Sequence, residues 1–146
     1  MTQAIEIGFL RILLVEDNPS DAFLLRTALG KAGLAFELTV IDDGARALAE
    51  VQRMGARAGA SLPDVILLDL NLPKHSGLEI LETIKQSPAL ARIPAAIYTS
   101  SDSADDRRAA ERLGADRYIV KPNRLAGLAR VAAIVVELGR PGPRAS

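Results

Sequence analysis

Residues 64–73, DVILLDLNLP, constrain the fold more than any other stretch of the chain. From Val65 to Leu70 the side chains are apolar at odd and even positions alike, with Asp69 as the one exception. Successive side chains of a strand point to opposite faces, so this run reads as a strand buried on both sides. Strands of that kind sit inside parallel sheets covered by other layers front and back, not in sheets with one wet face. A carboxylate there is costly unless the chain brings Asp69 to an edge where it meets partners or solvent.

The remaining segments supply the covering layers. Leu10–Val15 is a β-rich apolar run that ends at EDNPSD, a cluster of turn and helix-start residues. Ala22, Leu25, Leu29 and Ala32 then share a helical face, and Gly33 stands where a C-cap is expected. In FELTVI (36–41), Phe36, Leu38 and Val40 alternate with Glu37 and Thr39, as in a half-buried strand. DDGARALAEVQRM reads as a second helix, entered after the N-cap types Asp42 or Asp43. GARAGASLP is a small-residue loop and the segment expected to be most flexible. Helical spacing returns at Leu78, Leu81, Ile84 and Lys85, after a turn containing Pro73 and Gly77.

IPAAIYTSS is a fourth strand, and DSADDRRAAERLGA a fourth helix that closes at Gly114. RYIVKP is a fifth strand ended by Pro122, and Leu125–Leu138 a fifth helix. Five strands alternating with five helices through short connections describe one α/β domain, a parallel sheet with helices on both faces. GRPGPRAS, residues 139–146, is expected to be a disordered tail.

Composition narrows the function. The 146 residues are 49% hydrophobic but only 3% aromatic, so the core must be aliphatic. Eighteen basic residues balance 18 acidic ones, which removes the usual electrostatic argument for nucleic-acid or anionic-membrane binding. The absence of cysteine rules out disulfide scaffolds, thiolate metal sites and thiol nucleophiles. The N-terminus lacks a basic segment before its apolar run, so neither a signal peptide nor a membrane span is expected, and a cytoplasmic location follows as the default.

Ligands of open parallel sheets gather at the carboxyl ends of the strands. Those ends carry Glu16 and Asp17, Asp69 with Asn71 just beyond, Thr99 with Ser100 and Ser101, and Lys121. Three carboxylates against one lysine leave a surplus of two negative charges, which a hard divalent cation with oxygen ligands such as Mg²⁺ would neutralise. Carboxylate, Mg²⁺, lysine and hydroxyl are together the parts for phosphoryl transfer onto oxygen. Asp69 is then the nucleophile, and the product an aspartyl phosphate.

With LLVEDNPSD, ILLDLNLP, IYTSS and YIVKP in that order, residues 10–138 resemble the receiver domains of two-component response regulators. The resemblance implies a flavodoxin-like (βα)5 doubly wound sandwich with strand order 2-1-3-4-5, preceded by an N-terminal extension at 1–9. It implies that Asp69 is the phosphoacceptor. By the same resemblance Asp17 is expected to be a direct Mg²⁺ ligand, Glu16 to act through water, and the Asn71 backbone carbonyl to complete the metal site. Thr99 is expected to turn toward the phosphoryl group, Lys121 to pair with it, and Tyr118 to change rotamer on activation.

The Lys121–Pro122 bond is often cis in the family. Ser100 stands where alanine is common, and Glu16 where aspartate is also common. The implied partner is a sensor histidine kinase. NPSDAFLLRTAL and LDLNLPKHSGLEIL look like the stand-alone regulators that pair with bacterial phytochrome kinases. No DNA-binding domain is expected after the last helix. Output through a partner or a homodimer is expected instead, by way of the surface formed by helix four, strand five and helix five, or of helix five alone.

Other readings compete at these residues. An Asp- and Mg²⁺-dependent small-molecule phosphatase also forms an aspartyl phosphate, but usually from an Asp-x-Asp pattern on the first strand, under a cap domain. A flavodoxin-like nucleotide binder would need phosphate donors where EDNPSD presents acids. Asp42 and Asp43 read as N-caps, and Asp102, Asp105 and Asp106 as acids favoured at a helix start. His75 reads as a surface turn residue and Phe23 as a core aromatic. VAAIVVEL is apolar beyond a single stripe, either as core or as a dimer surface.

Overall fold

A computed structural model describes residues 9–57 and 61–140. Strands and helices alternate as β1 (Phe9–Val15), α1 (Pro19–Lys31), β2 (Ala35–Ile41), α2 (Gly44–Ala56), β3 (Val65–Leu68), α3 (Gly77–Gln86), β4 (Ala95–Thr99), α4 (Ala104–Arg112), β5 (Arg117–Val120) and α5 (Ala126–Gly139). The strands form one parallel sheet in the order β2-β1-β3-β4-β5, the flavodoxin-like order implied by the sequence motifs. No helix among the described residues is long and apolar enough to cross a membrane.

The period-two pleat sorts the strand side chains into two cores. Leu10, Ile12, Leu14, Val65, Leu67, Ala96 and Tyr98 pack with α1 and α5 on one face. Leu13, Val15, Ile66, Leu68, Ala95 and Ile97 pack with α2, α3 and α4 on the other. All four residues of β3 and all five of β4 are buried, as expected of strands covered front and back.

Helix starts follow the local chemistry. Asn18, Asp43, Ser76 and Ser103 cap α1 to α4, each accepting a backbone N–H of the first turn. Gly33 takes φ +83° just past the Ala32 cap of α1, a conformation that favours glycine.

Several expectations need correction. Phe23 is 65% exposed, not a core aromatic. Leu25, Ala28 and Leu29 define the buried stripe of α1, and Phe23 lies about 200° around the helix from Leu25. Ala32, expected on that stripe, is an exposed cap residue. β1 begins at Phe9, one residue inside the expected extension. Gly139 is a buried end of α5, where an added Cβ would meet Leu10 at 2.6 Å and Val65 at 3.2 Å. The rest of the extension, most of the tail and the centre of the small-residue loop lie outside the described residues. The Lys121–Pro122 peptide is trans, the lower-energy isomer even before proline.

Candidate functional site

Strand register brings the site together. Val15 pairs with Leu68 and with Ile41, and Thr99 pairs with Val120. The residues that follow leave the sheet at a common level: Glu16 N donates to Ile41 O, Asp69 N to Val15 O and Lys121 N to Thr99 O. Side chains 105 positions apart in the chain therefore meet without any long connection. Gly77, the first residue of α3, is packed so closely that an added Cβ would strike the Asp69 carbonyl oxygen.

Glu16, Asp69 and Thr99 are the buried polar side chains among the described residues. Carboxylate oxygens of Glu16, Asp17 and Asp69 lie within 4.8 Å of one another, with Asp17 on the exposed side. Lys121 Nζ stands among the acids, 2.9 Å from Asp69 Oδ2, 2.8 Å from Glu16 Oε1 and 2.7 Å from Asp21 Oδ2. Its hydrogen bonds go to Asp21 and Asp69. The approach to Glu16 is an ion pair without hydrogen-bond geometry, so Glu16 Oε1 is buried with no donor.

Electrostatics reflect that crowding. Burial pushes the Glu16 carboxyl up to about 7 against the pull of Lys121, and the Asp69 charge adds to the rise. Burial alone would lower Lys121, but its close contacts with the Asp21, Glu16 and Asp69 carboxylates outweigh it and hold the ammonium above its ordinary range. Tyr98 lies beneath the Lys121 ammonium at 5.6 Å, and burial pushes its hydroxyl up to about 12. Three carboxylates gathered within 4.8 Å against a single ammonium, with Asp17 open to solvent, fit a hard divalent cation. Glu16, Asp17 and Asp69 have the oxygen chemistry to hold one.

A polar chain leads away from the carboxylates. Asn71 N–H donates to Asp69 Oδ1 at 3.1 Å, and Asn71 Nδ2 reaches Thr99 Oγ1 at a long 3.5 Å. Thr99 Oγ1 accepts from Ser101 N–H at 3.4 Å. The Ser101 carbonyl accepts from the Tyr118 hydroxyl at 2.9 Å, and the Arg107 guanidinium of α4 lies 4.7 Å over the Tyr118 ring. Tyr118 is thus joined to Thr99 through the β4–α4 loop rather than touching the carboxylates.

Asp21, Tyr98 and Arg107 escaped sequence reasoning. Asp21 was visible only as a helix-start acid in EDNPSD, since nothing local reveals a partner 100 residues away. The acids expected to be structural are so. Asp43 caps α2, and its bond from Arg46 N–H holds it below the usual carboxylate range. Asp102 and Asp105 pair with Arg107 and Arg108, while Asp106 accepts from Ser101 Oγ. His75 pairs with Glu79 on α3.

Known proteins share this fold. Residues 12–133 match the family model for the response regulator receiver domain. Response regulator Rcp1 of Synechocystis is 41% identical over 117 residues, 80% of each chain. The crystal structure of its Mn²⁺-bound form superposes with a TM-score of 0.78 at 36% identity, covering 92% of this chain and 99% of that one. The phosphorylated cyanobacterial phytochrome response regulator RcpA gives a TM-score of 0.82 at 36% identity, covering 94% and 98%. Family match, strand order and acidic cleft agree, and the chain belongs to the response regulator receiver domain family, related to the phytochrome response regulators.

Proposed function

We propose that this chain is a signalling switch in which Asp69 accepts a phosphoryl group from a sensor histidine kinase. The observation that carries this reading is the setting of Asp69: a buried carboxylate with Lys121 Nζ at 2.9 Å and carboxylates of Glu16 and Asp17 beside it. An Asp69 oxygen attacks phosphorus and forms an O–P bond. The P–N bond to the donor imidazole breaks, and the nitrogen keeps the electron pair. Lys121 offers its N–H groups to the phosphoryl oxygens, and the Thr99 hydroxyl donates to another.

Asp17, Asp69 and the Asn71 carbonyl would hold Mg²⁺ directly and Glu16 through water, and a bound cation would supply charge neutralisation at the transferring oxygens. Thr99 moving toward the phosphoryl group disturbs Ser101, and with it the hydroxyl partner of Tyr118. The α4–β5–α5 surface then changes shape, through a shift between two pre-existing states. Kinship with Rcp1 and RcpA supports a bacteriophytochrome as the kinase, in a cytoplasmic light-signalling pathway. Output runs through a partner protein or a homodimer formed on α4–β5–α5 or on α5.

The test is intact mass after incubation with acetyl phosphate, with Mg²⁺ or with chelator, on wild type and Asp69→Asn. The expected result is one phosphoryl group that requires Mg²⁺ and is missing in the variant. Equal phosphate stoichiometry in Asp69→Asn would refute the assignment of Asp69.

A further inference from the structure

Asp21 adds a fourth carboxylate to a cleft that one lysine and one dication would already neutralise. It sits in the first turn of α1, where an acid normally serves the helix dipole or reaches back to the N-cap in a capping box. The second of these tasks is already filled, because Asn18 N–H donates to Glu16 Oε2 at 3.1 Å. The Asp21 carboxylate turns the other way, into the cleft. Its Oδ2 lies 2.7 Å from Lys121 Nζ, the shortest of that ammonium's three contacts with carboxylates. With its side chain 29% exposed against 12% for Lys121, Asp21 grips the ammonium from the solvent side.

We propose that Asp21 is a positioning residue that moors Lys121 in the unphosphorylated protein and thereby sets how readily the aspartyl phosphate forms and how long it lasts. This inference rests on the phosphoacceptor reading of Asp69. A lysine shared between Asp21 and Asp69 must give up part of its hold on Asp21 to serve phosphoryl oxygens. The Asp21 charge also opposes the approach of an anionic donor to a cleft already rich in acids. Mooring and repulsion act in the same direction, against phosphorylation. Residues at the cleft rim can then tune the lifetime of the signal without touching the reacting atoms.

The experiment compares wild type, Asp21→Asn and Asp21→Glu in saturating Mg²⁺ with acetyl phosphate. Phosphoryl uptake is followed by intact mass, and the half-life of the adduct is measured after donor removal. Asn keeps the shape and an acceptor oxygen but not the charge; Glu restores the charge. Asp21→Asn is expected to take up phosphoryl roughly three- to tenfold faster and to hold it longer by a similar factor. Asp21→Glu should return both toward wild type, which a merely structural role in α1 does not predict. Wild-type-like rates in Asp21→Asn, or slower uptake, overturn the mooring role while leaving Asp69 as acceptor. A wild type that takes up no phosphoryl group overturns the phosphoacceptor reading, and the mooring role with it.

Discussion

Glu16 is held far from its ordinary titration. Its carboxyl is raised to about 7 from an ordinary 4.5, with burial as the main cause, so the native state holds a proton that the unfolded chain releases. Without metal, the Glu16 contribution to stability is most favourable below the unfolded value. It declines as pH rises from about 4.5 to 7 and is level above that. A cation needs the ionised form, so metal and proton compete. Mg²⁺ affinity is expected to rise about fivefold from pH 6 to pH 7 and less than about twofold from pH 7 to pH 8. Calorimetric titrations across that range measure the slope, and Glu16→Gln should flatten it. An unchanged slope in the variant would place the competing proton elsewhere.

Among the elements, the β4–α4 loop and the start of β5 work as one unit. Ser101 joins Thr99 to Tyr118, and Arg107 reaches across from α4 to cover the Tyr118 ring while pairing with Asp102. A cation over an aromatic face at a partly exposed site contributes about 0.5–1 kcal/mol, enough to bias a ring between two rotamers. Arg107→Ala removes that cover and leaves the hydroxyl bond to Ser101. The chain has two tyrosines, so fluorotyrosine NMR resolves Tyr118 from the fully buried Tyr98. Exchange broadening or a second signal is expected for Tyr118 alone. Two unaltered resonances would mean that Arg107 does not restrain the ring.

The whole molecule depends on one sheet clamped between two aliphatic cores, with scarcely any aromatic mass to share the load. Leu14 lies at 0% exposure in β1, opposite Val40 on one side and Leu67 on the other. Leu14→Ala should cost about 2–5 kcal/mol, a large part of the roughly 5–15 kcal/mol that holds a domain together. Urea unfolding would register a lower midpoint at a similar slope. A midpoint within experimental scatter of wild type would indicate that the sheet closes around the lost volume.

What the sequence determined by itself was local or periodic. β3 announces burial on both faces, EDNPSD and the Asp42–Asp43 pair announce helix starts, and Glu16, Asp69, Thr99 and Lys121 announce themselves as polar residues ending apolar runs. Pleat and helix periods, together with capping chemistry, act over a few residues, so they can be read along the chain. Only the tertiary structure decided that Phe23 faces outward, that Gly77 must lack a side chain beside the Asp69 carbonyl, and that Tyr98 lies under Lys121. It also decided that Lys121 belongs to Asp21 as much as to Asp69. Each of these depends on the register of α1, β3, β4 and β5 against one another, and register is set by the packing of the two cores rather than by neighbours in sequence.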